Sequence, residues 1–271
     1  MRGHRKAARL SRKTLIGLAG IGCVVLLAAL VPLAFSSEQA PSTIEVKVVQ
    51  RFPHDPAAFC QGLVVVDGQV WEGTGKYGDS ELRQLDLTSG QVVRSANLPQ
   101  EYFGEGIAYH NGKIYQLTWR ENVCFVYDQA TLKVLGTLYY SGEGWGLTSD
   151  GKYLYLSDGT ASIRVIDPDK FKVIRRFRVH VGRRNIDQLN ELEFVNDELW
   201  ANIWHSDFIA RINPKSGQVL GWLDASSLWP ANRRPSLEHV LNGIAYDQST
   251  KKLYLTGKYW PELFEVATNL R

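Results

Sequence analysis

From residue 44 onward apolar and polar side chains alternate with period two, in short runs separated by turn residues. One copy of the pattern shows its form. Gly106-Ile107-Ala108-Tyr109-His110 is followed by the pair Asn111-Gly112 and a second run, Lys113 to Trp119. A third run, Val123 to Asp128, leads through a turn to a fourth, Lys133 to Leu138. Asn-Gly between alternating runs is a strong hairpin signal. Four short strands in 40–50 residues make one blade of a propeller. No long amphipathic helix is predicted after residue 36.

The copies are found through a tag of form x-[G/E]-[L/I]. It occurs as Gln61-Gly62-Leu63, Glu105-Gly106-Ile107, Trp145-Gly146-Leu147, Asn190-Glu191-Leu192 and Asn242-Gly243-Ile244, with spacings of 44, 40, 45 and 52 residues. Five copies predict an all-β, five-bladed β-propeller. The fifth copy ends at its third strand, so the segment 44–49 is expected to supply the missing fourth and close the ring. Two inserts interrupt the template, at 180–189 and 224–240. The second carries Trp229, Pro230, Arg233, Arg234, Pro235 and His239, and is a candidate lid or rim.

First strands of a propeller line its central channel, so the variable tag residues converge there with the ends of the second strands. The tags and their neighbours bring Phe59, Gln61, Phe103, Glu105, Trp145 and Asn190; the second-strand ends bring Trp119, Asp158, Trp204 and Lys258. Each has a plainer use. A tryptophan in a blade is commonly sheet packing, and Gln61 or Asn190 can bond neighbouring backbone in a turn. Asn242 is left to structure. Glu105 is harder to assign to packing, because a carboxylate between glycines and aromatics needs a charge partner or a raised pKa. Lys258 is the expected partner, and such perturbed groups in a cleft are site candidates.

Composition narrows the class. Of 271 residues 8 are Trp, 12 Tyr and 1 Met, and the formal net charge is +3. Six positive charges stand in the first 13 residues; taking them from the formal +3 leaves the remainder at about −3, which argues against a nucleic-acid binder. Residues 14–35 are uncharged and long enough to span a bilayer, and the basic flank 1–13 before them predicts a cytoplasmic N-terminus with the rest outside. A cleaved signal peptide is the alternative. The expected organisation is therefore a basic flank 1–13, an anchor or signal 14–35, a polar linker 36–43 and a propeller 44–271, in an extracytoplasmic, monomeric protein. Cys60 and Cys124 could pair only where blade geometry allows it, and free buried thiols are the plainer reading. The six histidines lack metal-ligand spacing, His54 is expected in a surface turn, and the axis is expected to hold few acids. No G-x-S-x-G, P-loop or H-E-x-x-H motif is present.

The string Phe52-Pro53-His54-Asp55-Pro56-Ala57-Ala58-Phe59-Cys60-Gln61-Gly62-Leu63 resembles the opening motif of the glutaminyl-peptide cyclotransferases of the plant and bacterial, papaya-latex type. Tyr102 to Gly106, Gly142 to Leu147, Leu189 to Glu193, Leu241 to Tyr246 and Thr256 to Pro261 continue it, over about residues 46–266. The resemblance implies a five-bladed propeller that converts an N-terminal glutaminyl residue of a peptide or protein to pyroglutamyl and releases ammonia, with no cofactor or catalytic metal. It implies that Glu105 is the acid/base, that Gln61, Asn190 and Lys258 are the polar substrate contacts, and that Phe59, Phe103, Trp119, Trp145 and Trp204 form the aromatic pocket. The chemistry of the reaction adds a catalytic part for Asn190 and Lys258, as donors to the oxygen of the tetrahedral intermediate. Cys60 stands where Thr or another small residue is expected. Two other uses of the same pocket remain open from the residues alone: a non-catalytic module for peptide ends or sugars, and a lactonase-like propeller hydrolase.

Overall fold

The computed structural model describes residues 40–268. The expected basic flank, the apolar segment 14–35 and the first half of the linker, 36–39, lie outside them. Among the described residues the only helix is one 3-10 turn, Ala231–Arg233, and no helix is long and apolar enough to cross a membrane.

Five sheets form the five blades. The first contains strands Cys60–Val66, Gln69–Thr74, Glu81–Leu85 and Val92–Asn97 in sequence order, all antiparallel. The second runs from Gly104–His110 to Val134–Tyr139, and the third from Leu147–Ser149 to Lys172–Arg178. The fourth runs from Leu189–Val195 to Val219–Asp224 and gains Ser42–Glu45 as a fifth, parallel strand on its outer edge. The fifth blade has Leu241–Asp247, Lys252–Gly257 and Glu262–Ala267, and Lys47–Pro53 completes it. The insert at 180–189 carries a small hairpin, His180–Val181 with Arg184–Asn185.

The closing strand thus lies a few residues later than expected. Ser42–Glu45 serves the fourth blade and Lys47–Pro53 the fifth, with Val46 between them buried in the core the two blades share. Alternation alone does not mark where a segment crosses from one blade to the next.

Period two explains the packing. Successive side chains of a strand point to opposite faces, so each blade feeds two cores. There are five apolar clusters, one at each blade–blade interface. Ile114 enters the core between blades one and two, while Tyr115 and Leu117 enter that between two and three. Phe52 of the closing strand packs with Leu63, Val70 and Leu263 between blades five and one.

The tags have a structural meaning beyond the repeat. In four inner strands the ladder slips there: between Cys60 and Gly62, Gly104 and Ile107, Leu189 and Leu192, and Leu241 and Ile244. In the third blade the strand begins only at the last residue of the tag, Leu147. A bulge leaves one residue out of the ladder and re-aims its side chain. The glycine of the tag allows inner strands to meet across the axis. A Cβ on Gly106 would stand 2.6 Å from both Trp145 O and Leu147 N, and the Gly106 N–H donates to Trp145 O at 2.7 Å.

The axis holds more acid than the sequence suggests. In the fourth tag Glu191 replaces glycine, and its fully buried carboxylate accepts from Leu63 N (3.3 Å) and Ile244 N (2.9 Å). Glu193 accepts from Tyr246 N (2.8 Å) and the Thr148 hydroxyl (3.0 Å). All four oxygens are taken by N–H or O–H donors, so these two carboxylates act as spokes from the fourth blade to the first, third and fifth. Burial pushes the Glu191 pKa well up and that of Glu193 to about 8.

Candidate active site

A cavity of about 260 Å³ opens at the channel end formed by the tags. Its lining includes nine of the ten residues expected to converge there: Phe59, Gln61, Phe103, Glu105, Trp119, Trp145, Asn190, Trp204 and Lys258. Asp158 is not among them; its carboxylate is drawn to the Arg164 guanidinium at 2.7 Å. His54 is not in a surface turn. It is 5% exposed, with Nδ1 2.6 Å from Trp260 O and Nε2 3.1 Å from Glu72, and Glu72 also binds Arg83. This buried network ties blade one to blade five. Cys60 and Cys124 are free and buried, and Cys60 turns its sulfur away from the cavity toward Gly62 O.

Glu105 is in the bulge of the second inner strand and is 5% exposed. Its Oε1 accepts a 3.0 Å hydrogen bond from the Gln61 side-chain amide. The Gln61 oxygen in turn accepts from Asn242 Nδ2 at 3.4 Å, and the same Asn242 nitrogen donates to Cys60 O at 2.9 Å. Three tags therefore cooperate: Asn242 orients Gln61, and Gln61 orients Glu105. This chain leaves Glu105 Oε2 free for a ligand.

The expected direct Glu105–Lys258 ion pair does not form. Gln61 occupies the carboxylate, and the Lys258 ammonium lies 4.5 Å from the centre of the Phe59 ring. The two charges still feel each other. Burial drives the Glu105 pKa well above the carboxylate range against the pull of Lys258, with the negative charges of Glu143 and Glu121 adding to the rise. Burial also lowers the Lys258 pKa to about 8. Both are shifts by desolvation, the signature of chemistry-bearing groups in an apolar site.

Asn190 is 2% exposed and its Oδ1 has no protein partner. An orphaned acceptor on a cavity wall calls for a donor from a ligand. The Asn190 backbone oxygen is itself held by the Ser157 hydroxyl at 2.6 Å, which fixes the residue.

The remaining wall is aromatic. Phe59 meets Phe103 edge-on at 6.1 Å, Phe103 meets Trp119 at 5.6 Å, and Trp145 meets Trp204 at 5.5 Å. An apolar box with one acid, one base and two amides at its floor suits a small substrate group whose polar atoms are few and directed.

The comparisons with known proteins come down on one class. The sequence model of the glutamine cyclotransferase family matches residues 22–268. The chain belongs to the glutamine cyclotransferase family. It is 42% identical over 226 residues to a glutaminyl-peptide cyclotransferase of Arabidopsis thaliana, covering 82% of this chain and 71% of that one. The crystal structure of Myxococcus xanthus glutaminyl cyclase superposes with a TM-score of 0.80 at 37% identity, covering 84% of this chain and 98% of that chain.

Within the cyclotransferase site, five residues escaped the sequence reading. Glu143 holds two walls at once, its Oε2 accepting 2.9 Å hydrogen bonds from the indole N–H groups of both Trp119 and Trp145. Arg120 stacks on Trp119 at 3.6 Å and donates to the other Glu143 oxygen. His205 lies against Trp204, with ring centres 4.2 Å apart. Leu237 and Glu238 come from the second insert. The insert residues the sequence does single out act as braces instead: Arg234 binds Asp207 and Trp229 O, and Trp229 packs on Trp260. Glu143 is adjacent to a tag, in Gly142-Glu143-Gly144-Trp145, and that position was the available signal.

Proposed function

We propose that the cavity cyclises N-terminal glutaminyl residues of peptides and proteins, with Glu105 as the single acid/base. The observation that carries this is the Asn242–Gln61–Glu105 chain, which aims one buried carboxylate into an aromatic box that also contains Lys258 and Asn190.

The reaction is intramolecular. The α-amine nitrogen attacks the side-chain amide carbon, the C–N bond of a five-membered lactam forms, and ammonia leaves. Attack requires a free-base amine, whose pKa is about 7.7–8.0 in an unstructured peptide. Glu105 in its carboxylate form removes the proton from that nitrogen as the bond forms. It then gives the proton to the departing amide nitrogen, which cannot leave as an anion. A carboxyl with a raised pKa suits both steps, because proton transfer is most effective when the group titrates near working pH. The aromatic walls hold the folded-back conformation that brings amine and amide together. Lys258 is the donor for the oxygen of the tetrahedral intermediate, a contribution of about 2.7–4 kcal/mol for donors of this kind. The orphaned Asn190 Oδ1 accepts an N–H of the substrate amide.

The chain itself supplies every acid, base and donor in this scheme, without a metal. Activity is expected to survive chelators, and inactivation reversed by added zinc would overturn that part. We place the enzyme outside the cytoplasm as a monomer, anchored by residues 14–35 or released by cleavage after them; the basic flank and apolar run support the location. Mass spectrometry of the mature N-terminus decides between anchor and cleavage. The activity is tested by incubating the purified chain with a glutamine-initiated dipeptide and measuring ammonia beside a lactone control. Ammonia without lactone hydrolysis supports the reading, and the reverse pattern contradicts it.

A further inference from the structure

Leu237 is the most exposed of the large hydrophobic residues described, at 86%, and it lines the mouth of the active-site cavity. A lone exposed leucine is ordinary. This one is held in place. On the loop that presents it, Arg234 binds Asp207 (2.7 Å) and Trp229 O on one side, while Glu238 accepts from Lys76 of the first blade at 2.8 Å on the other. His239 is fixed by Ser236 through Nδ1 and by Trp260 Nε1 through its carbonyl. The loop is a braced ledge that keeps an apolar side chain in water beside an otherwise closed box.

Resting on the cyclisation reading, the path of the substrate gives this ledge a use. The α-amine and the side-chain amide of the glutamine must both reach Glu105 at the cavity floor. The third branch of that residue, its carbonyl, is then the one that leaves through the mouth, carrying the next residue past the rim. The rim offers Leu237, the half-exposed Trp204 and the His205 ring packed against it at a tilt. Its one carboxylate, Glu238, is already neutralised by Lys76. We propose that Leu237 and Trp204 form a subsite for the side chain of the second substrate residue, and that the subsite selects apolar side chains such as Leu or Phe over Gly or acidic ones.

The test is the ratio of kcat/KM for Gln-Leu to that for Gln-Gly peptides. A hydrophobic contact of one side chain discriminates by about tenfold or more, so a ratio of about ten is expected for the wild type. In Leu237→Ala the ratio should fall to about two. In Leu237→Asp the preference should turn toward Gln-Lys. The side chain stands in solvent, so neither substitution disturbs a core. A wild-type ratio near one, or the same ratio in wild type and Leu237→Ala, overturns the subsite. Failure of the wild type to release ammonia from either peptide is a different result, and it overturns the cyclisation reading beneath it.

Discussion

Lys258 shows how one residue's environment sets a pH dependence. It lies 5% exposed against Phe59, and burial brings its pKa down to about 8. The ammonium is therefore present below about pH 8 and lost above it, and with it the charged donor we propose for the oxyanion. On the other limb, turnover rises with pH as the substrate amine, of pKa about 7.7–8.0, and Glu105 lose their protons. The kcat/KM profile should climb to a maximum near pH 8 and then fall. Lys258→Gln should lose about 10²–10³ in kcat together with the alkaline limb. An unchanged alkaline limb in that variant would assign the limb to another group. Glu105 and Lys258 were legible in the sequence because each stands out chemically from an aromatic setting. Their direct pairing was not, because whether Gln61 or Lys258 takes the carboxylate depends on a bulge that displaces one side chain and not the other.

At the scale of elements, the bulged tags and the connections between blades do different work. The tags set the floor of the site; the loops set its walls. Glu143, in the connection from blade two to blade three, carries two indoles on one oxygen. Removing it in Glu143→Ala frees both tryptophans and should raise KM for a glutaminyl dipeptide about tenfold with a smaller change in kcat, at about 1.4 kcal/mol per tenfold. Glu143→Gln keeps an acceptor oxygen and should restore most of the KM. If the Gln variant is as poor as the Ala variant, the charge of Glu143, not its hydrogen bonds, is what matters. The repeat made the inner strands and their tags readable. It made Glu143, Leu237 and the two-step closing segment unreadable, since each lies where the repeat is broken and its partners are fixed only in three dimensions. His54 was misjudged for a related reason: a Pro-His-Asp-Pro string has the composition of a surface turn, yet ring closure buries it against Glu72.

At the scale of the whole molecule, the ring is held by five interblade cores and by the axial spokes of Glu191 and Glu193. The spokes tie stability to pH. The folded-state pKa of Glu193 is raised to about 8 from an ordinary 4.5. A raised pKa means that the folded chain binds the proton more tightly than the unfolded chain. The associated stability is complete below about pH 4.5 and is lost as pH rises through about 8. Wild-type Tm should fall over that window, at about 2–4 °C per kcal/mol for a chain of this size. Glu193→Gln, which can keep both the Tyr246 and Thr148 contacts, should show a flatter curve; a wild-type slope that persists in the variant would contradict the spoke assignment. The same ring brings Asn242, Gln61 and Glu105 from blades five, one and two to one point, and we propose that this convergence makes Glu105 the sole proton carrier of the reaction. The most direct measurement is ammonia release from a glutamine-initiated dipeptide by Glu105→Gln beside wild type, with Tm recorded for both. A folded variant whose turnover is reduced by about 10²–10⁴ is the expected result. A folded variant that releases ammonia at the wild-type rate would contradict it.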